Sequence, residues 1–401
     1  MKKILVIGGG AYQVPLIKRI KERGYEAYCV DGNASALGSK YADGFKHIDI
    51  MDKNECLSYA KEMRINAVMT YGATITLPTV SYIGERLSLP CLPYDTAELS
   101  KSKYKIKRRL ADAGCNIKGD FFEFHSVEEA KKQKITVPCV IKPSDGSGSK
   151  GVTLVENEAE LENAIEYAFE NARFGEFYSE ALVKGDEYTV EAFVAEGETY
   201  VYCIVKTTFE RNENGEISYG HRTPSGLSEE TEKIIADEVK KAVKALGITM
   251  LSVNFDVILS EADGKPYIID CGIRVGQNLI ASHFVPLSRG VSVIDRSIDI
   301  ALGEKADCKP LFNKCIATRL LIYKSGVITE IKPMDDIIGK NGIVDVVMRK
   351  GVGDVQKPYK EKSDTCGWVI TQGQTPDEAE EKAQKAKKII EDYIIIKPIE
   401  V

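Results

Sequence analysis

The stretch PCVIKPSDGSGSKG, residues 138–151, ends a short apolar run in Lys142 and continues as a loop rich in Gly and Ser. Gly and Ser leave backbone N–H groups accessible to another molecule, and the lysine adds a positive charge beside them. The pattern predicts an anion site with a lid that folds over phosphates. It is not a P-loop, because in GxxxxGK[ST] the lysine follows the loop, whereas Lys142 precedes it and Lys150 is followed by Gly151. An ordinary turn with a surface lysine is the alternative.

A second segment with candidate binding residues is FYSEALVKGDEYTVEAF, residues 177–193. Glu180 ends a predicted strand, residues 181–183 form an apolar linker, and Glu187 follows shortly after. Free backbone groups in such a linker can hydrogen-bond the edge of an adenine, and the later carboxylate can accept from ribose hydroxyls. Taken alone, this segment also fits a plain hairpin.

A pair of carboxylates lies further along, at Asp256 and Asp270, in two predicted strands joined by the turn EADGK. Across such a hairpin they can meet on one face at the same height. Two adjacent carboxylates repel each other, and a divalent cation such as nucleotide-bound Mg²⁺ is the usual reason to keep both ionised. Arg274 can neutralise a transferring phosphoryl group or an acyl phosphate. Two surface aspartates on a hairpin are the alternative.

These residues need elements to position them, and residues 4–100 alternate between strand and helix patterns. The strands ILVIGG, EAYCVD and AVMTYG with intervening helices predict a doubly wound parallel sheet. A dinucleotide site is disfavoured, because Gln13 stands where the fingerprint needs its third glycine. The turn Gly8–Gly10, Asp31 and the segment Tyr71–Ala73 are expected to border the acceptor-substrate site.

The rest of the chain is predicted to hold a basic helix, then strands around one helix, and a long amphipathic helix with a Ser cap. The hairpin of Asp256 and Asp270 follows that helix. Beyond residue 305 the pattern changes to a smaller α+β unit with the strands ATRLLIY, GIVDVVM and GWVITQG and a closing helix. The architecture is therefore of mixed α/β and α+β class.

Several segments, in this order and spacing, resemble those of the ATP-grasp carboxylate–amine ligases, including amino-acid ligases: SKYKIKRRLADAG, PCVIKPSDGSGSKG, SEALVKGDE, NFDVILSEADGKPYIIDCGIR and VPLSRGVSVIDRSIDIALG. The resemblance covers nearly the whole chain. It implies a Rossmann-like N-terminal (pre-ATP-grasp) domain at 1–98 and an ATP-grasp domain at 99–305. A lid subdomain is expected at about 120–185, and a small C-terminal α+β domain at 306–401.

Carried over by position, the resemblance implies three groups of site residues. The ATP-binding group, from phosphates and lid to adenine and ribose, is Lys103, Lys142, Gly148, Ser149, Glu180, Ala181, Val183 and Glu187. The metal ligands are Asp256 and Asp270, and the catalytic group is Arg274, Lys206 and His221.

One departure from the family pattern concerns the metal. The family usually has Glu-x-Asn where this chain has Asp270-Cys271-Gly272, and the Asn normally helps to hold a second magnesium. Gly272 supplies no ligand, and Asn278 is the candidate substitute. Either the second metal is held differently, or catalysis is weak or altered.

The activity that the resemblance implies is an ADP-forming ligation. A carboxylate attacks the γ-phosphate of ATP, with Mg²⁺ (or Mn²⁺) and lysines spreading the charge, and an amine then attacks the acyl phosphate. An amino-acid or peptide ligase is the first interpretation. The alternatives are a formate- or bicarbonate-activating enzyme of the purine-pathway or biotin-carboxylase type, and a nucleotide-binding protein without turnover. Arg222 and Arg289 can bind a substrate carboxylate or be structural, and the resemblance suggests a homodimer.

The composition limits the partners. The chain has 401 residues, 28% of them charged, with a formal charge of −6, which argues against nucleic acid or an anionic membrane as partner. No apolar run reaches transmembrane length, and the N-terminus predicts no targeting segment. Ten cysteines without a CxxC pair and only four histidines predict reduced thiols in a cytoplasm and no zinc cluster. The expected partners are small carboxylate and amine substrates.

Overall fold

The computed structural model describes residues 1–146, 148, 150–212, 215–276, 279–359 and 364–398. Two residues singled out from the sequence, Ser149 and Asn278, lie outside this described part of the chain. All ten cysteines lie within it and are free thiols, most of them buried. Among the described residues, no helix is both long enough and apolar enough to cross a membrane.

The N-terminal unit is a four-stranded parallel sheet in the order β3-β2-β1-β4. Its apolar strands are buried on both sides by helices, which explains their near-continuous hydrophobic sequence. Strand β3 escaped the sequence analysis because it is a short, half-buried edge strand. The elements are β1 (Lys3–Ile7), α1 (Val14–Glu22), β2 (Glu26–Asp31), β3 (Gly44–His47), α2 (Lys53–Met63), β4 (Ala67–Met69) and α3 (Leu77–Leu87).

A smaller antiparallel sheet follows, in the order β5-β8-β6-β7, and its core is covered by two short helices. Two helices, α4 (Tyr94–Leu99) and α5 (Lys103–Asp112), lead into it. This sheet lies within residues 121–181, the range expected for the lid. Its elements are β5 (Phe121–Phe124), α6 (Val127–Lys132), β6 (Cys139–Pro143), β7 (Thr153–Val155), α7 (Leu161–Glu170) and β8 (Phe177–Ala181).

The largest unit is an eight-stranded sheet in the order β13-β12-β9-β10-β11-β14-β18-β16. The predicted hairpin is β12–β13, and the predicted long helix is α8, capped by Ser228. A π-helical turn at Ile280–Phe284 follows the hairpin. The elements up to residue 301 are β9 (Gly185–Ala195), β10 (Glu198–Asn212), β11 (Gly215–Thr223), α8 (Glu229–Leu246), β12 (Leu251–Ser260), β13 (Pro266–Gly272), α9 (Val285–Arg289) and α10 (Val293–Ala301).

The C-terminal region contributes β14, β16 and β18 to this same sheet, because β14 pairs with β11. The sheet therefore runs without a break across residue 305, where the sequence predicts a domain boundary. A second, three-stranded sheet β17-β15-β19 completes the region. The elements are β14 (Cys315–Leu320), β15 (Gly326–Ile331), β16 (Ile343–Met348), β17 (Val355–Gln356), β18 (Gly367–Gly373), α11 (Pro376–Glu391) and β19 (Ile394–Lys397).

The large sheet uses its two faces differently. On one face, alternate residues of β9 and β12 pack against the apolar stripes of α5 and α8. On the other, β9 and β10 pack with α9, α10 and the N-terminal sheet in a single core. Because side chains alternate along a strand, Glu191, Asp256 and Asp270 lie on this second face. The predicted fold class, mixed α/β and α+β with an N-terminal parallel sheet, is confirmed.

Candidate active site

Helix α5 brings two lysines to the edge of the large sheet. Ser102 begins the helix by accepting from Lys105 N at 3.2 Å. Lys103 then contacts the carboxylate of Asp270, and its backbone N–H donates to Ser144 O at 2.7 Å. The start of α5 thus contacts both β13, through Asp270, and the end of β6, through Ser144.

The lysine that the sequence analysis singled out first, Lys142, is buried at the end of β6. Its Nζ lies 2.6 Å from Glu180 Oε1 and donates to Ile269 O at 3.2 Å. Burial alone would lower the pKa of Lys142, but the Tyr178 hydroxyl and the carboxylates of Glu180 and Asp270 raise it well above its ordinary value. Lys142 is therefore held as a fixed positive charge.

A third lysine, Lys107, was missed by the sequence analysis. It lies one helical turn after Lys103 and its Nζ is 2.5 Å from Glu180 Oε2, so that Glu180 stands between two ammonium groups. Burial opposes ionisation of Glu180, but Lys142 and Lys107 outweigh it and lower the pKa of the carboxyl. Burial also lowers the pKa of Lys107. The i, i+4 spacing of the two lysines in KSKYKIKRRL was the available signal.

The two aspartates meet as predicted, directly opposite each other in the β12–β13 pairing. Asp256 Oδ1 accepts from Thr189 Oγ1 at 3.0 Å, and Asp270 Oδ1 accepts from Cys271 N at 2.9 Å. Burial would raise the pKa of Asp270, but Lys103 and Lys142 lower it below its usual range. Two carboxylates on one face offer the oxygen ligands that a magnesium ion prefers.

Gly272 lies two residues beyond Asp270 on the same strand face and adds no ligand. A Cβ at this position would be 3.3 Å from Arg274 Cζ, so the Arg274 side chain covers the space where a longer residue would stand. Among the described residues, no group of three or more His, Cys, Asp or Glu side chains is close enough to hold a metal. Asp256 and Asp270 are the carboxylates that the described part of this strand face offers to a divalent ion.

The residues that the resemblance assigns to adenine fall at the end of the lid sheet. Ala181 ends β8, opposite Cys139, and Val183 is buried in the linker before β9. Glu187 lies on β9 opposite Ile258. In the lid loop, Gly148 has φ +67° with open space around it, a conformation that suits glycine.

The two further catalytic candidates lie on opposite faces of the large sheet. His221 is buried beside Phe284, with its ring 6.3 Å from the phenyl ring, on the face that carries the aspartates. Lys206 pairs in register with Tyr188, so its side chain lies on the same face as Tyr188, which packs against α8. Lys206 Nζ is 2.8 Å from Asp186 Oδ2. The structure therefore brings His221, but not Lys206, to the face of the aspartates.

The two arginines considered for a substrate carboxylate make contacts within the protein. Arg222 contacts Asp377 and lies 3.0 Å from Glu380 on α11. Arg289 Nε donates to Tyr202 O at 2.6 Å, and its Nη1 contacts Asn313. Both contact sets support the structural interpretation.

A second residue missed by the sequence analysis is Glu191, which is fully buried on β9. Its carboxylate accepts from Ser252 Oγ at 2.5 Å, from Asn254 Nδ2 at 3.1 Å and from Gly276 N at 3.0 Å. Burial raises its pKa to about 7. Glu187, Thr189 and Glu191 alternate along EYTVE, and this period of two could have placed Glu191 on the site face.

A cavity of about 70 Å³ adjoins this cluster, between β4, α3 and the start of β12. Its wall is mostly apolar, with Arg274, Ser252 and Tyr71 among its polar members. The segment Tyr71–Ala73, predicted to border an acceptor site, lines it.

The glycine turn after β1, also predicted to border that site, makes hydrogen bonds within the protein. Gly9 N donates to Asp31 Oδ2 at 2.6 Å, and Gln13 Nε2 donates to Tyr71 O at 2.5 Å. Asp31 therefore takes the amide that an anionic substrate would otherwise use.

Known proteins resemble this chain at several levels. Residues 135–281 match the ATP-grasp domain, and residues 319–391 match the L-amino acid ligase C-terminal domain 2. The formate-dependent phosphoribosylglycinamide formyltransferase of Bacteroides fragilis is 26% identical over 279 residues, 67% of this chain and 71% of that protein. The D-alanine–D-alanine ligase of Parabacteroides distasonis is 26% identical over 231 residues, 53% of this chain and 68% of that protein.

Solved structures share the whole architecture. The L-amino acid ligase from Bacillus licheniformis has a TM-score of 0.80 at 23% identity, covering 100% of this chain and 99% of that one. Phosphoribosylglycinamide synthetase from Anaerococcus prevotii has a TM-score of 0.76 at 24% identity, covering 99% and 100%. At these identities the superpositions show a common fold. With both matched segments in order on that fold, the chain combines an ATP-grasp domain with a C-terminal domain of the L-amino acid ligase type.

Proposed function

We propose that this chain joins the carboxylate of one amino acid or peptide to the amine of another through an acyl phosphate, releasing ADP and phosphate. The observation that carries the proposal is the match of residues 319–391 to the L-amino acid ligase C-terminal domain 2. That region extends the sheet that holds the aspartates, since β14 pairs with β11. The domain is thus part of the same structural unit as the proposed site.

In this proposal, Lys103 and Lys142 bind the nucleotide phosphates, and the Glu180 carboxylate keeps Lys142 in place. The low pKa of Asp270 supports its role as a metal ligand, because the carboxylate stays ionised at neutral pH. Asp256 and Asp270 would hold Mg²⁺, which neutralises the charge of the triphosphate when it is bound.

Arg274 is assigned to the transferring phosphoryl group and the acyl phosphate. Its guanidinium adjoins both Gly272 and the apolar cavity. A permanent positive charge can stabilise the oxygens on which charge develops during the transfer. The cavity beside it supports a substrate with an apolar side chain. The lid loop before β7 would exclude water, which otherwise hydrolyses an acyl phosphate.

A second candidate function is activation of formate or bicarbonate. It is favoured by the 26% identity over 279 residues to a formate-dependent formyltransferase. The two functions differ in the carboxylate that is activated, and the same assay separates them.

The test is release of ADP and phosphate from Mg-ATP with amino acids singly and in pairs, and with formate and bicarbonate. Lys142→Ala is the inactive variant, and Lys105→Ala, an exposed lysine on α5, is the matched control. We expect release that requires a particular amino-acid pair, a product mass equal to the pair minus water, and loss of both in Lys142→Ala only. Release with formate or bicarbonate alone would favour the second function, and no release with any acid would contradict both.

A further inference from the structure

The segment after β13, residues 272–276, carries Arg274 in a defined conformation. Arg274 N donates to Gly272 O at 2.7 Å, and its Nη1 donates to Val275 O at 2.9 Å. The side chain covers Gly272, where a Cβ would lie 3.3 Å from Cζ and 3.5 Å from Nε. The position of the guanidinium thus depends on how this short segment is held.

Glu191 holds the far end of the segment. Gly276 N lies 3.0 Å from both carboxylate oxygens of Glu191. A Cβ at residue 276 would lie 2.3 Å from Oε2, so no larger residue fits while Glu191 is in place. The segment is therefore in direct contact with a fully buried carboxylate.

The remaining contacts of Glu191 join this segment to the strands of the aspartates. Ser252 and Asn254, both on β12, donate to the carboxylate, and Asn254 is directly opposite Gly272 in the β12–β13 pairing. Each of these partners acts as a donor, which suits an ionised carboxylate because it only accepts. A buried acid with this many converging donors fixes geometry more firmly than apolar packing alone.

We propose that Glu191 is a positioning residue that sets Arg274 against the reacting phosphoryl group by anchoring Gly276. This inference rests on the proposed function, because that function assigns Arg274 to the phosphoryl group. Glu191 itself touches neither ATP nor substrate in this account. Its effect is on the rate of the chemical step and not on the affinity for ATP, whose phosphates are assigned to Lys103 and Lys142.

Steady-state kinetics of the Glu191→Gln variant test the proposal. The glutamine side chain has the same shape, but an NH2 group replaces one carboxylate oxygen and faces the donors Ser252, Asn254 and Gly276. We expect kcat to fall about 10- to 100-fold, as for a small misplacement of a catalytic group, with KM for ATP nearly unchanged. In an Arg274→Ala background, the same change should have little further effect. Val194→Ala, a core change on the opposite face of β9, is the control and should lower stability without lowering kcat.

A second cycle uses the close approach at residue 276. Gly276→Ala should lower kcat in the wild type but cost much less in Glu191→Ala, because the 2.3 Å contact is then removed and only the 3.0 Å approach to Asn254 Nδ2 remains. Unchanged kcat in Glu191→Gln, or losses that simply multiply with Arg274→Ala, would overturn the proposal.

Hydrogen exchange gives a readout that does not depend on turnover. The Gly276 amide donates to Glu191, so Glu191→Gln should speed exchange in a peptide covering residues 272–276 while β9 and β13 stay protected. Unchanged exchange in that peptide would contradict the anchoring role even if no ligase substrate is found. Absence of turnover in the wild type with faster exchange in the variant would instead count against the proposed function alone.

Discussion

Glu180 shows how single residues of this site depend on one another. Its two carboxylate oxygens contact different lysines, at 2.5 Å for Lys107 and 2.6 Å for Lys142. Removing one partner of such a buried group leaves uncompensated charge, so the three residues act as a unit. The arrangement fixes the Lys142 side chain in place, and if Lys142 binds phosphate as proposed, this preorganisation reduces the side-chain ordering that binding requires.

At the same scale, Gly272 and Arg274 predict the number of metal ions. In the proposed site, Asp256 and Asp270 supply the donors, and the Arg274 guanidinium covers Gly272, where its charge opposes a second cation. We expect one Mn²⁺ per chain in the presence of a non-hydrolysable ATP analogue, counted by electron paramagnetic resonance of free Mn²⁺. Gly272→Asn combined with Arg274→Ala should add a second ion. Two ions in the wild type, or none, would contradict this prediction.

The buried carboxyl of Glu191 predicts a pH dependence of stability. Burial raises its pKa from 4.5 to about 7 in the folded chain. Between these values the folded state holds the proton more tightly than the unfolded state, so the free energy of unfolding falls as pH rises through that range. Glutamine does not titrate, so Glu191→Gln does not lose stability in this way. The free energy of unfolding of Glu191→Gln relative to the wild type should therefore rise by up to about 3 kcal/mol between pH 5 and 8.

Urea unfolding at several pH values measures this difference. Glu198→Gln, which changes an exposed glutamate on β10, is the matched control. Arg274, Tyr71 and Cys203 are the other titratable groups that interact with the Glu191 charge, and they are unchanged in both variants. A relative stability that does not change with pH would show that Glu191 titrates normally.

At the scale of elements, helix α5 and the lid sheet are coupled through their ends. Lys103 N donates to Ser144 O beyond β6, and the same helix carries both Lys103 and Lys107. The helix start is therefore where Lys103, the end of β6 and Asp270 on β13 meet. We therefore expect its capping residue, Ser102, to affect more than helix stability.

Ser102→Ala tests this coupling. Loss of the N-cap should lower the free energy of unfolding by about 1 kcal/mol and also weaken ATP binding, because Lys103 is the first residue of the helix. Ser126→Ala removes the equivalent cap of α6, where Ser126 accepts from Glu129 N at 3.2 Å, and should cost similar stability without affecting ATP. Calorimetric titration with a non-hydrolysable ATP analogue compares the two. If Ser102→Ala and Ser126→Ala change the ATP affinity equally, the start of α5 has no specific role in ATP binding.

At the scale of the whole molecule, the eight-stranded sheet makes the C-terminal region part of the central structure. Strand β14 pairs with β11, and Arg222 on β11 contacts Asp377 and Glu380 of α11. The site face of the same sheet shares its core with the N-terminal strands. The C-terminal region, the central sheet and the N-terminal strands are therefore joined by continuous pairing and packing.

A chain shortened to residues 1–305 should consequently not fold to a native state. It would expose β11 as an unpaired edge and the core residues that β14 and β18 cover, which favours aggregation. Size-exclusion chromatography and ATP-dependent thermal stabilisation measure the outcome. A monomeric 1–305 chain that binds ATP as the full chain does would show that residue 305 is a true domain boundary.

Much of the fold and part of the site could be predicted because their signals are local. The strand–helix alternation predicted the N-terminal sheet, and the Asp-Gly turn predicted the hairpin that sets Asp256 opposite Asp270. Lys142 was found because an apolar run and a Gly-rich loop are both visible in a few residues. Strand β3 was missed because it is a short, half-buried edge strand.

Only the tertiary structure decided which of the candidates meet. It joined Lys107 and Lys142 through Glu180, separated Lys206 from His221 by the thickness of a sheet, and placed Glu191 under Gly276. It also extended one sheet across the expected boundary at residue 305. By itself, the sequence determined most of the elements and the chemical types of the site residues, since these follow from periodicity and turn composition. Strand order and side-chain contacts between distant segments depend on long-range packing, which no local pattern encodes.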